Sequence, residues 1–253
     1  IGTDSTGTLD RGNSTDGIYV AAGGAIIGGS NAGEGNLISG NGGDGIELNG
    51  ITAINNLVLG NIIGANISGN TGLPNASGVL ITTSSRSNIV GGVTAGAANL
   101  IAFNTGDGIG VAAAAANTNN NFRGNALFSN GNLGIDLGAA GITANDAGDA
   151  DTGANQSQNF PVLSAATNTI SGTVIVGTLN SRPSTTYLID FYSSILPNPL
   201  GSGEGQTYLG ATTINTDGTG NGNFAITFPV TALAGRHISA TATDNFGNTS
   251  EFS

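Results

Sequence analysis

Short apolar clusters punctuate the first 158 residues, among them GIYV at 17–20, AIIGG at 25–29 and NLISGN at 36–41, each bounded by Gly, Asn, Asp or Ser. Runs this short do not make helices, and their Ile, Val and Leu are strand formers. Shifting the chain against itself by 63 positions aligns residues 28–46 with 91–109, and 12 of those 19 positions are identical. A shorter period lies inside this repeat. A Gly followed by a β-branched residue recurs at Gly17-Ile18, Gly45-Ile46, Gly78-Val79, Gly108-Ile109 and Gly134-Ile135, at intervals of 28, 33, 30 and 26. One structural unit is therefore about thirty residues, and units of this kind bury their apolar faces only by stacking. The pattern predicts an all-β chain whose residues 1–158 form a three-sided right-handed parallel β-helix, a solenoid of about five coils. Equivalent residues of successive coils then lie about 4.8 Å apart. Ile18, Ile46, Val79, Ile109 and Ile135 are expected in one inward column, and Leu37, Leu100 and Leu127 in another.

Asp16, Asp44 and Asp107, with Ser77 in the equivalent place, precede the recurring glycines. They read as turn residues bonding the local backbone, with a row of functional carboxylates as the alternative. Asn36 and Asn99, and likewise Asn41, Asn104 and Asn130, read as corner asparagines whose amides stack coil on coil. From Phe160 the pattern changes to strict alternation, as in TTYLIDFYS and NGNFAITF. Five or more such strands within residues 159–253 predict a small antiparallel β-sandwich of the immunoglobulin-like kind. Tyr187, Ile189 and Phe191 are expected to face its core, with Leu188 and Asp190 facing away. Asp217 reads as a hairpin-turn residue and His237 as a surface strand residue. The segment SSILPNPLGSGEGQ at 193–206 reads as an exposed connection, long enough to touch a ligand.

Charge narrows the partners. Five Arg and no Lys face sixteen acidic residues, for a net charge of −11. Nucleic acid and polyanionic surfaces are disfavoured, whereas Ca²⁺ is attracted. No run of 18 apolar residues is present, so no membrane span is predicted. The chain lacks Met and Cys, and Ile1-Gly2-Thr3-Asp4 matches the mid-coil string Ile63-Gly64-Ala65-Asn66. A longer parent chain, or end-to-end association with other copies of itself, is expected on that basis.

The densest candidate site is NDAGDADTGAN at 145–155, where Asp146, Asp149, Asp151 and Asn155 offer closely spaced oxygens. Oxygen ligands spaced along a flexible loop suit structural Ca²⁺, although the helices and bidentate Glu of an EF-hand are missing. A solvated acidic loop is the competing reading. Catalytic constellations are sparse. A polysaccharide lyase needs a basic residue, for which Arg11, Arg86 and Arg123 are the solenoid candidates. A glycosidase needs two carboxyl groups across the scissile bond, and neither Asp16, Asp44 and Asp107 nor Glu47 marks out an acid from a base. His237 has no Ser elbow near it.

The strings DGI, NLISGN, NIIGAN and GIDLGAAGITANDAGDADTGANQSQNFPVL resemble the parallel β-helix repeats of large secreted and surface proteins of bacteria. These are similar in fold to pectate-lyase-type helices. The last string resembles the segment that leads into a bacterial immunoglobulin-like domain, as the closing ATATDNFGNTSEFS resembles its final strands. The resemblance covers nearly the whole chain and implies an extracellular or cell-surface location. The resulting expectation is a non-enzymatic structural or adhesive module: a rigid stalk, coat or filament subunit. The alternative is a carbohydrate-active β-helix that binds or cleaves a polysaccharide.

Overall fold

The computed structural model describes residues 1–198, 200–229 and 235–253. Within them the chain forms a parallel β-solenoid followed by two antiparallel sheets. Twelve short strands, β1 to β12 in chain order, build the solenoid's three faces. One face stacks β1 (Ile18–Val20), β4 (Ile46–Asn49), β7 (Val79–Thr82), β10 (Ile109–Ala112) and β12 (Ile135–Gly138), all parallel. Those five strands span about four turns from first to last. A second face stacks β3 (Leu37–Ile38), β6 (Ile62–Ile63), β9 (Leu100–Ala102) and β11 (Ala126–Phe128). The third stacks β2 (Ile26–Gly28), β5 (Leu57–Leu59) and β8 (Ile89–Val90). No helix among the described residues is long and apolar enough to cross a membrane.

Strand register places Ile18, Ile46, Val79, Ile109 and Ile135 opposite one another, as the repeat predicts. A second inward column on that face joins Val20, Leu48, Ile81, Val111 and Leu137. The expected column of Leu37, Leu100 and Leu127 is corrected. Leu127 pairs with Ile101, which pairs with Ile63 and thence Ile38, and these four are buried. Leu37 and Leu100 occupy the alternate, half-buried positions one residue earlier. Neighbouring residues on a strand face opposite ways, so the choice of anchor residue decides the face.

Corners are fixed by asparagine. At one corner the side-chain amides of Asn13, Asn41, Asn75, Asn104 and Asn130 form a chain, each Nδ2 donating to the next Oδ1 at 2.9–3.1 Å. At the next corner Asn36, Asn61, Asn99 and Asn125 do the same at 3.0 Å. The third holds Asn56, Asn88 and Asn120, at 3.0 and 3.1 Å. Each Oδ1 also accepts the backbone N–H of the asparagine before it. Backbone donors that a bend removes from the sheets are thus satisfied within the turn. Spacing along the chain varies from 25 residues (Asn36 to Asn61) to 38 (Asn61 to Asn99), yet the amides stay in line. The surplus residues bulge outward between corners. Gly64 follows β6 with φ of 87°, where an added Cβ would stand 2.2 Å from the Ala102 carbonyl oxygen, so only glycine fits.

The C-terminal part is a sandwich of two three-stranded sheets. One contains β13 (Val162–Thr169), β14 (Gly172–Asn180) and β17 (Asn221–Phe228). The other contains β16 (Thr207–Asn215), β15 (Thr186–Ser194) and β18 (His237–Asp244). Tyr187, Ile189 and Phe191 of β15 pack with Ile175, Leu179, Phe224 and Phe228 between the sheets, as alternation predicts. Asp217 accepts the N–H groups of Thr219 and Asn221 in the turn between β16 and β17. His237 opens β18 as an exposed residue.

The sandwich closes one end of the solenoid. Tyr192 and Phe252 belong to the solenoid's apolar core, with Phe252 packed against Gly134. Each face finds a different partner for its last rung. On the β12 face, Glu251 accepts the N–H groups of Leu137 and Thr143, both at 2.9 Å. On the β11 face, Leu127 and Gly205 exchange backbone hydrogen bonds at 2.9 Å, and Glu204 accepts the Ser129 N–H. On the third, the Thr249 hydroxyl accepts the Phe122 N–H. Segment 193–206 is therefore part of the cap; Pro199 within it lies outside the described residues.

Candidate functional site

After β12 the chain runs through the acidic segment and returns by a short 3₁₀ turn, Ala154–Ser157. Asn159 holds this segment shut. Its Oδ1 accepts the Asp146 N–H at 3.1 Å, and its Nδ2 donates to the carbonyls of Asp146 and Asn180 at 2.7 and 2.8 Å. The segment is thereby tied to the end of β14, where Asn180 Oδ1 accepts the Gly148 N–H.

This folding brings Asp146, Asp149 and Asp151 together, with one carboxylate oxygen of each within 4.8 Å of the others. Asp149 lies deepest. Its Oδ1 accepts the Asn159 N–H at 2.9 Å, and its Oδ2 accepts the Ser181 hydroxyl at 3.0 Å with Arg182 Nε 3.8 Å away. Burial pushes its carboxyl above the ordinary range against those hydrogen bonds. Burial, and then the charge of Asp146, does the same to Asp151. Asp146 Oδ2 accepts the Ala150 N–H, while its Oδ1 is buried without a hydrogen-bond partner among the described residues. Such a set repels itself and suits a hard cation, which Arg182 offsets only from one side.

Asn155 departs from the expected ligand set. It is fully buried, its Oδ1 accepts the Asn120 N–H at 3.0 Å, and its Nδ2 donates to the carbonyls of Asn120 and Thr249. It is the last rung of the third asparagine ladder, not a member of the carboxylate group. The shared loop suggested a common role; the coil-to-coil bonding capacity of the amide decided otherwise.

The aspartates before the repeating glycines bond across coils. Asp16 Oδ1 accepts the Asp44 N–H at 2.8 Å, Asp44 Oδ1 the Ser77 N–H at 2.9 Å, and Asp107 Oδ1 the Leu133 N–H at 3.2 Å. Asp44 and Asp107 are nonetheless raised by burial. Of the solenoid arginines, Arg123 is committed to the sandwich. Its guanidinium clasps both oxygens of Asp190, with Nη2 to Oδ1 at 2.8 Å, and Tyr208 donates to the same carboxylate at 2.9 Å. Asp190 is fully buried, so the alternation that turns it away from the sandwich core turns it into the joint between the two parts.

Residues missed by sequence reasoning are those of the cap, chiefly Asp190, Glu204 and Glu251. An acidic residue at an apolar-rich strand centre was a signal for Asp190. Likewise, Asn followed by two apolar residues marks about half of the ladder positions, including Asn56, Asn61, Asn88 and Asn125. No protein-family model matches the chain, and no curated protein sequence is similar to it.

Proposed function

We propose that the chain is a rigid extracellular spacer, a structural or adhesive module of a bacterial surface protein, in which the solenoid supplies length and the immunoglobulin-like sandwich closes it. The observation that carries this reading is the continuity of the asparagine ladders and apolar columns into a hydrogen-bonded cap. Side chains that could have been singular are instead committed to coil-to-coil and cap contacts, which favours stiffness over chemistry. Arg123, the candidate base of a lyase, spends its donors on Asp190. Location at the cell surface rests on the resemblance of the repeats and on the acidic surface. Incubation with a panel of neutral and acidic polysaccharides is expected to yield no new reducing ends or unsaturated products. Product formation abolished by Asp44→Ala would replace the structural reading with a carbohydrate-active one.

Within this reading Asp146, Asp149 and Asp151 hold a structural Ca²⁺ that braces the segment between solenoid and sandwich. The supporting features are the convergence of three carboxylates and the unpartnered Asp146 oxygen. Calcium is expected to raise the melting temperature, and Asp146→Asn with Asp151→Asn to weaken that response. A chelator-independent melting temperature together with a null calorimetric titration would remove the ion from the account.

A further inference from the structure

One row of outward-facing residues crosses the five-stranded face: Tyr19, Glu47, Leu80, Gly110 and Asp136, one per coil. Glycine in the fourth coil makes a notch between two longer side chains. The notch opens into a shallow pocket of about 140 Å³ lined by Leu80, Asp107, Gly110, Ala112, Asp136 and Ala140 among others. Two carboxylate residues, Asp107 and Asp136, line it. Asp107 Oδ2 lies 3.6 Å from the position a Cβ on Gly110 would take. Asp136 stands beside Gly110 in the next coil, at the strand spacing of about 4.8 Å.

Asp136 is only 6% exposed. Its Oδ2 accepts the Gly141 N–H at 3.3 Å, but its Oδ1 is buried with no hydrogen-bond partner among the described residues. A buried carboxylate oxygen without a donor is costly, and a second carboxylate nearby makes it more so. Small side chains around the notch leave room for an ion and its waters, and hard dications take carboxylate oxygens. We propose that this notch is a divalent-cation site, with Asp136 and Asp107 as its carboxylate ligands and Gly110 as the residue that keeps it open. It is separate from the acidic segment after β12 and does not depend on that segment binding an ion. Two carboxylates with water completing the shell give weak binding, with Kd on the order of 10⁻⁴–10⁻³ M for Ca²⁺.

The test is a calorimetric titration of the full chain with CaCl₂. It is run in an Asp146→Asn, Asp151→Asn background so that the other acidic group does not contribute. That background is expected to bind one Ca²⁺ per chain, and adding Asp136→Asn is expected to weaken binding at least tenfold. Gly110→Ala separates ligand loss from misfolding. The new methyl would meet Leu80 Cδ1 at 3.5 Å and Asp107 Oδ2 at 3.6 Å, ordinary contacts, so the fold is kept while the methyl takes up space in the notch beside the Asp107 carboxylate. It is expected to weaken Ca²⁺ binding at least tenfold with no loss in melting temperature under chelation. Absence of binding in the background variant overturns the proposal, even where the unaltered chain binds calcium. So do titrations of Asp136→Asn and Gly110→Ala that superimpose on that background.

Discussion

Asparagine has two ways of serving a bend: tolerating unusual backbone angles, or bonding through its amide. The corners of this solenoid use the second. Asn99 shows what is at stake, because its Oδ1 accepts both the backbone N–H and the Nδ2 of Asn61 while its own Nδ2 donates to Val58 O and Asn125 Oδ1. Replacing it with Ala leaves two buried donors on Asn61 unmet. Asn99→Ala is expected to cost about 1–3 kcal/mol, read as a fall in the urea midpoint at unchanged m-value. The same change at Asn13, exposed at the ladder's end, is expected to cost less. The sequence makes one class of corner asparagine legible, because Asn36, Asn56, Asn61, Asn88, Asn99 and Asn125 each stand directly before an apolar pair. It does not make Asn155 legible, since the acidic loop around it offers a competing chemistry and only the coil count places it under Asn120.

Strands this short hold together through columns, so their identity is readable from spacing, as the line from Ile18 to Ile135 shows. Their facing is less readable. In NLIAF both Leu100 and Ile101 are apolar, and only the stacked register tells that Ile101 is the buried one. The alternation of β15 was plain, but alternation gives a side, not a partner. Asp190 turns away from the sandwich core into contact with Arg123, sixty-seven residues earlier in the chain. A fully buried carboxylate that loses its guanidinium retains, among the described residues, the Tyr208 hydroxyl as its side-chain donor. Arg123→Met is therefore expected to destabilise by about 3–5 kcal/mol, and the double variant with Asp190→Leu to recover much of that loss. Chemical denaturation of the single and double variants checks both expectations.

At the scale of the molecule, buried acid gathers where the last coil meets the cap, at Asp136 and Glu251. Burial holds the Glu251 carboxyl up at about 7 against the two backbone N–H groups it accepts. Burial, and next the charge of Asp107, raises Asp136 to about 6. Both groups bind protons more tightly in the folded chain than in the unfolded one. Their contribution to stability is thus fully present below about pH 4 and lost as pH rises through 6 to 7. With chelator present, the melting temperature is expected to be higher at pH 5 than at pH 8, and Glu251→Gln to flatten that slope. Sequence alone hid this because Glu251 sits in a polar closing string, and only the plug formed by Phe252 carries it inside. The asparagine ladders have a different consequence. Each interior amide donates one bond to the asparagine of the next coil and accepts one from the asparagine of the coil before. Growth or shortening by whole coils would leave all three corners joined, whereas a fractional change must be absorbed in an outward bulge, as between Asn61 and Asn99. The height of such a molecule is quantised, set by a whole number of floors.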